Sequence, residues 1–587
     1  MKKSLFLILS LAVFYTSCSD SAHSGGAAKG DKVYGGILRV NETEQFQTLY
    51  PASITDVTSY HIANQVYEGL VKFNPKDLAI KPCIAEKWDV DAAATTYTFY
   101  LKKGVKFHDD ACFSGGKGRE VKASDVKYAF ELLCINSKEN VNFPATFKDR
   151  IVGANKFYEA SKEKATGDIE GIKVVDDYTI KITLTAPSAS FLYALALPAA
   201  SIVPKEAVEK YGIETKVGTG PFIFASKSTN ESVILRRNEN YHGVDSLGNQ
   251  LPFLDTVVIS FFPTKKEELD NFKNGNLSIV IGLSSEAIKD MVEKDITDFQ
   301  NKPPKYILDR SAEMATQYYT FNLTRPPFND IRVRKAFSYA LKRNRIIEDV
   351  LRGEAYGPGV NGISPPSFKG YDITKIKGYD FDEKEAKKLL AEAGYPDGKG
   401  FPPIKIELNS GGSKSADVVL EIQKQLMDVL NVNVDFEVVS LKQKLDDEKH
   451  ARADMFRASW LADFPSPENF LWILYGASVP DDIKMASWPN TPRYKNPEYD
   501  KLFEAGKSAK TQEESYANFM KAEQLLMDDA PIIVLWYGEN YRLVKSNVRS
   551  FYSNPMRHRD YSEVYIKEVT SSVNTKENGD GEKKEEH

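Results

Sequence analysis

Residues 457–471 read RASWLADFPSPENFL, and their reading organises the rest of the chain. The residues around Trp460 have the composition of a strand. Pro465 and Pro467 then stop it, because proline fixes φ and supplies no N–H donor. Asp463 stands between strand and double-proline loop, so its carboxylate is held in a stiff, well-defined place. Local sequence leaves two roles open to it: capping the turn, or receiving a ligand ammonium.

Outward from this segment, strand and helix signals alternate along the chain, with no internal repeat. Tyr97–Leu101 mixes aromatics and Thr as strands do. Tyr178, Ile180, Ile182 and Leu184 alternate with polar neighbours, the pattern of a half-buried strand, and Leu254 to Phe262 is another. Ser124 is placed to cap a helix whose apolar face is Val126, Ala129, Phe130 and Leu133. Asp330 is placed to begin a second, with Val333, Ala336, Phe337, Ala340 and Leu341 at helical spacing. Asp382 and Glu385 open a third, which Gly394 and Pro396 close. The alternation predicts an α/β (α+β mixed) architecture.

At 587 residues the chain exceeds what one hydrophobic core organises, so two or more lobes are expected. The net charge of -5 is small and mixed along the sequence, which excludes a nucleic-acid footprint. Aromatics make up 11%, a level that fits either a large core or an aromatic-lined binding surface. Lys2 and Lys3 precede an apolar run, Leu5 to Tyr15, which is about half the ~20 residues a membrane-spanning helix needs. It reads as a cleaved signal, residues 1–17. Cys18 directly follows small residues, as in a lipobox, although Tyr15 stands where Leu is usual. Cys18 is therefore the expected lipidation site, with ordinary secretion as the alternative. Residues 18–34, with Gly25-Gly26-Ala27-Ala28, read as a flexible tether. The charged tail 571–587 has nothing to bury and is expected to be disordered. Three cysteines remain, Cys83, Cys112 and Cys134, so one internal disulfide at most is available, and Cys112 with Cys134 is the pair expected.

Enzyme motifs are missing: the chain contains no GxSxG, HExxH, GxxxxGK[ST] or GxGxxG. The seven His are scattered, and His108-Asp109-Asp110 reads as a turn after a strand in preference to a metal site. No CxxC pair accompanies the thiols, so no metal and no cofactor are expected. Gly218-Thr219-Gly220-Pro221 is a tight turn with no helix start behind it.

A collinear series of motifs goes further: GGILRV at Gly35, QVYEGLV at Gln65, IAEKW at Ile84, TYTFYLKKGVKFHDD at Thr96, VKASDVKYAF at Val121, VGTGPF at Val217, LRRNENYH at Leu235, FNLTRPPFNDIRVRKAFSYAL at Phe321, AKKLLAEAGYPDG at Ala386, the Trp460 segment, PRYKNPEYDKL at Pro492 and APIIVLWYGENYRLV at Ala530. From Gly35 to about Lys567 the chain resembles the family 5 extracellular solute-binding proteins, and within them the oligopeptide binders.

That resemblance implies a two-lobed periplasmic-binding-protein-like clamp (type II) with an extra small domain, three domains in all. Residues 35–69, 186–314 and 536–570 would form lobe I, 70–185 the small domain packed on it, and 315–535 lobe II. It assigns Asp463, in the family's ADY-type turn, to a peptide's α-ammonium, and Arg457 to the carboxylate side. Trp460 becomes a pocket wall, Ser459 and Leu461 backbone-pairing positions, and Thr55, Asp56 and Val57 a second backbone contact. A cysteine pair of the family falls on Ala315 and Leu461, which are not Cys. The implied protein is a monomeric lipoprotein, outside the cytoplasm and tethered to the membrane. It would deliver peptides to ABC permease subunits with their ATPases, and catalyse nothing. Alternatives within the family are a nickel chelate, glutathione, haem or an oligosaccharide as ligand, or a sensor that presents peptide to a signalling partner.

Overall fold

The computed structural model describes residues 26–568 apart from 162–166, 228–231, 284 and 410–413. The expected signal peptide, Cys18 and the charged tail 571–587 lie outside the described residues. Among those described, no helix is long and apolar enough to cross a membrane.

Three sheets carry the mixed α/β architecture. One has four strands in the order Phe222–Lys227, Ser232–Arg237, Thr256–Ser260 and Ile37–Asn41, the last pair parallel. A second is an antiparallel set of Ala85–Val90, Thr96–Leu101, Thr179–Thr183 and Ile172–Asp176. In it Ile180 and Ile182 are fully buried while Lys181 between them is exposed, as period-two alternation requires. The third sheet has seven strands, ordered Ile279–Ile281, Ile532–Lys545, Tyr306–Phe321, Met455–Leu461, Ile404–Asn409 and Val434–Val439, with Gly357–Pro358 paired to the long strand Ile532–Lys545.

The two longest strands of that sheet, Tyr306–Phe321 and Ile532–Lys545, form an antiparallel ribbon. Its register shifts between Ala312 and Thr316. Arg310 pairs with Glu539 at 2.5 Å and Arg557 pairs with Glu313, so ion pairs flank the irregularity. Ile279–Ile281 joins the ribbon before the shift, opposite Val544 to Arg542, and Met455–Leu461 joins it after.

Helix starts follow side-chain capping. Asp330 accepts from the Arg332 N–H and Asp382 from the Glu385 N–H, as their positions predict. Ser124 does not cap its helix. The helix begins at Ala123, and Asp125 in its first turn accepts from the Lys122 N–H at 2.8 Å, so the longer acidic side chain takes the role. The Gly218–Pro221 turn runs into a strand. A Cβ on Gly218 would lie 2.1 Å from the Val66 carbonyl oxygen, so only glycine allows the turn to lie against the end of helix Val57–Val66.

Two further expectations are corrected. Cys112 and Cys134 are free thiols, as is Cys83: Cys134 is fully buried in the core and Cys112 sits in the Asp110 turn. The part of the tether from Gly26 to Tyr34 is ordered as a hairpin, Ala27–Ala28 paired with Lys32–Val33. Lys32 anchors it through Asp245 at 2.7 Å, and Tyr34 packs on Phe253.

The apolar core is not divided at the sheets. One cluster runs from Leu38 through Phe99 and Phe130 to Phe470, Tyr499 and Phe519, while a second wraps the middle of the seven-stranded sheet around Phe337, Ile406 and Leu426.

Candidate ligand-binding edge

The strand Met455–Leu461 has one edge occupied and the other half open. On one side it pairs with Tyr306–Phe321 over its whole length, Ser459 opposite Gln317 and Leu461 opposite Ala315. The two positions where the resembling family carries its cysteine pair are thus direct cross-strand neighbours. On the other side, Ile404–Asn409 reaches only Met455 and Phe456. The Ala462 N–H donates to the Met314 carbonyl at 2.9 Å. Backbone groups point alternately to the two edges of a strand. Ala458 and Trp460 therefore address the occupied edge, and Ser459 and Leu461 the open one.

Asp463 lies just past that edge. Asn469, on the short helix Glu468–Leu471, holds the corner: its side-chain oxygen accepts from the Asp463 N–H at 3.0 Å and from the Trp460 Nε1–H at 2.8 Å. Its amide nitrogen donates to Asp463 Oδ2 at 3.3 Å. Among the described residues no cation stands within ion-pair distance of Asp463. Its side chain is reachable by water, yet protein surrounds it, and this desolvation raises its pKa above the ordinary carboxylate value despite the Asn469 hydrogen bond. Exposure and desolvation coexist because the group lines a concavity instead of an open face.

The loop around Asp463 is gripped from the far side. Glu468 pairs with Arg150 at 3.3 Å, with both side chains largely buried. Phe464 stacks on Tyr193 with centroids 6.1 Å apart and planes inclined by 19°. Tyr60, whose hydroxyl lies 3.2 Å from His558 Nδ1, faces the same region. Burial first, and the Asp463 charge in addition, push its phenol up to about 12.

At the other end of the strand, Arg457 meets neutral acceptors alone among the described residues, Asn409 Oδ1 at 3.3 Å and Gln317 Oε1 at 3.1 Å. Desolvation lowers its pKa, although a guanidinium remains charged. It lines a cavity of about 230 Å³ with Gln317, Tyr319, Glu354, Lys414 and Trp536. Lys414 is already matched to Glu354 at 2.8 Å.

The Thr55–Val57 segment opens helix Val57–Val66, which also carries Tyr60. Asp56 spends its carboxylate as the cap, accepting from the Ser59 N–H at 2.8 Å and the Ser59 hydroxyl at 2.6 Å. Thr55 and Val57 are exposed. His108 belongs to the core: its Nε2 lies 2.9 Å from the Gly220 carbonyl, and burial pulls its pKa down to about 4. Among the described residues no cluster of three or more His, Cys, Asp or Glu is arranged to hold a metal ion.

Sequence reasoning missed Asn469, Glu468, Arg150, Tyr193 and Tyr60. Asn469 and Glu468 lay inside the quoted segment. The others had no local signal.

Comparison with known proteins places the chain in a family. The periplasmic oligopeptide-binding protein OppA of Escherichia coli is 28% identical over 517 residues, covering 86% of this chain and 88% of that protein. Heme-binding protein A of Haemophilus influenzae is likewise 28% identical, with the same coverage of both chains. The solved structure of the periplasmic binding protein DppA from Helicobacter pylori, in complex with peptide STSA, superposes with a TM-score of 0.70 at 26% identity, covering 91% of this chain and 99% of the other. Residues 79–481 match the family described as bacterial extracellular solute-binding proteins, family 5 Middle. With that match covering most of its length, the chain belongs to the family 5 bacterial extracellular solute-binding proteins.

Proposed function

We propose that the protein captures peptides along the open edge of strand Met455–Leu461 and passes them to an ABC permease, and that it performs no catalysis. The observation that carries this reading is a half-open strand edge ending in a desolvated carboxylate that, among the described residues, has no cation of its own. An extended peptide added to that edge would pair its backbone with Ser459 and Leu461, irrespective of side-chain identity. Its ammonium would supply the charge that Asp463 lacks, in a charge-assisted hydrogen bond. Arg457, matched only to amide oxygens, is assigned the carboxylate side. The strand rises about 3.3 Å per residue, so six steps from Arg457 to Asp463 span roughly 20 Å, room for a short oligopeptide. Thr55 and Val57 are the backbone contacts assigned to the facing lobe.

The domain reading is three bodies, with the four-stranded antiparallel set in 70–185 as the small domain and the ribbon as the hinge between lobes. Lipidation at Cys18, action outside the cytoplasm as a monomer, and delivery to permease and ATPase subunits complete the proposal. The related proteins named for oligopeptide binding support peptide as the ligand; the relative named for haem makes haem the second ligand to test.

The test is thermal unfolding of a variant starting at Ser19, with matched peptides of two to six residues, free or acetylated at the N-terminus. A ligand that binds only the folded state adds about 2.7 kcal/mol at a hundredfold excess over its Kd. Stabilisation by free-amine peptides that disappears on acetylation is the expected result. No stabilisation by any peptide, after co-purified ligand is removed by unfolding and refolding, would overturn the reading in favour of haem, glutathione, a nickel chelate or a sugar.

A further inference from the structure

The chain has five tryptophans, and three of them meet beside the binding edge. The ring centroid of Trp460 lies 6.3 Å from that of Trp472 and 6.3 Å from that of Trp488, with planes inclined by 62° and 48°. Trp460 is fixed in place by the hydrogen bond from its Nε1–H to Asn469, the same side chain that holds Asp463. The cluster is therefore continuous with the ammonium end of the edge. Yet its outer members are not packed away: Trp472 is 38% and Trp488 46% exposed, and Met485 beside them is 59% exposed. Indole rings normally bury their faces, and a group of them left open to water marks a binding surface.

We propose that Trp460, Trp472 and Trp488 form a side-chain site for one aromatic residue of the bound peptide. The inference rests on the peptide reading above and adds a preference to it. Two features select the guest. Trp460 already packs against each of the other two rings at 6.3 Å, and the exposed parts of Trp472 and Trp488 are left for a further aromatic ring to meet edge-to-face or offset. Lys449, whose Nζ lies 5.2 Å from the centre of the Trp488 ring, already covers one face with positive charge, so a cationic guest is repelled.

Strand geometry sets the position dependence. Side chains of a peptide paired along the edge alternate between the two faces of the sheet. Trp460 projects to the face opposite that of Ser459 and Leu461. A ligand side chain on the Trp460 face meets the cluster, and its immediate neighbours in the peptide point the other way. The site therefore reads one ligand position and ignores the positions on either side of it.

The experiment is calorimetric titration of tetra-alanine and of four variants of it, each with phenylalanine at one position, into the parent protein, Trp472→Ala, Trp488→Ala and Trp488→Phe. One phenylalanine position gains about tenfold over tetra-alanine, the scale of one or two aromatic pairs, and adjacent positions do not. Trp472→Ala and Trp488→Ala each bring that ratio towards one, and Trp488→Phe, which keeps a ring, retains most of it. A flat scan, or a gain that survives both alanine substitutions, overturns the aromatic site. Failure of the parent to bind any of the five peptides overturns the peptide reading itself, a result separable from a flat scan with measurable binding.

Discussion

At the Asp463 end of the open edge the charge sits in a loop gripped from across the molecule, whereas at the Arg457 end it rises from the sheet itself. Asp463 depends on Asn469 beside it, and its loop on the Arg150–Glu468 pair and the Phe464–Tyr193 stack, contacts that bring together segments some three hundred residues apart. Arg457 depends on Asn409 and Gln317, both from strands of its own sheet. One end is assembled from distant segments and the other from neighbouring strands of one sheet. Selectivity should therefore concentrate at Asp463, and tolerance of ligand length at Arg457.

The sharpest way to break that comparison is to remove the carboxylate. Asp463→Ala leaves a bound ammonium unpaired in a desolvated site, which costs about 3–5 kcal/mol. Affinity for free-amine peptides falls roughly 10²–10³-fold, and acetylated peptides lose nothing further; titration calorimetry reads both. An unchanged affinity removes Asp463 from the site.

Next in size is the grip. Arg150→Ala leaves Glu468 buried without its partner, and because the pair joins the loop to the opposing face, the cost falls on the closed form. Peptide affinity drops about 10–10²-fold, an estimate below the full cost of a broken buried pair, and it drops alike for free and acetylated peptides. Small-angle scattering of the peptide-saturated variant shows a larger radius than the parent. Equal affinity would mean that the loop holds its shape alone.

Arg457→Gln is smaller still. With neutral acceptors already around it, its loss costs about tenfold, in the range of one charge-assisted hydrogen bond, and the loss disappears for peptides amidated at the C-terminus. A deficit that persists after amidation would make Arg457 structural.

The last test is pH. The pKa of Asp463 is raised by desolvation, so on acidification it takes up its proton earlier than an ordinary carboxylate, and free-amine binding weakens as pH falls through that window. In the ligand-free protein the sign is opposite. A carboxyl whose folded pKa is raised adds stability at low pH and loses that contribution as pH rises through the folded value. Arg457 stays charged throughout, and peptides amidated at the C-terminus are used so that the ligand's own carboxyl, which titrates at about 3.3–3.7, does not add an acid limb. Asp463→Asn abolishes the acid limb if the assignment is right, and leaves it in place if another group is responsible.

The sequence made the strand and its abrupt end legible because both are local: an apolar run around Trp460, then two prolines. It also located Asp330 and Asp382 as caps, for the same reason. Ser124 misled because Asp125, its neighbour, has the longer reach and the charge. The Cys112–Cys134 pairing failed because a count of cysteines says nothing about where two thiols sit, and Cys134 belongs to a packed core. Arg150 with Glu468, and Tyr60 beside Asp463, were invisible for a different reason. Each member reads as an ordinary surface or helix residue until the fold brings its partner to it from a distant segment. Family resemblance supplied Asp463 but could not supply Asn469 or the tryptophan cluster, which had to be seen in place.

The ribbon of Tyr306–Phe321 and Ile532–Lys545 has a mechanical consequence. On the proposed domain reading, both passages between the lobes would run through this one pair of hydrogen-bonded strands, side by side, with their irregularity at the same height. Such a pair bends readily out of its own plane and resists sliding within it, and a bulge is where it bends. The joint acts as a leaf spring with a single easy direction and not as a swivel. If the lobes move as proposed, opening and closing would be one coordinate, so the Arg150–Glu468 contact, the Asp463 corner and the edge beyond it would engage together, and a permease reading the position of either lobe would read whether the edge is filled.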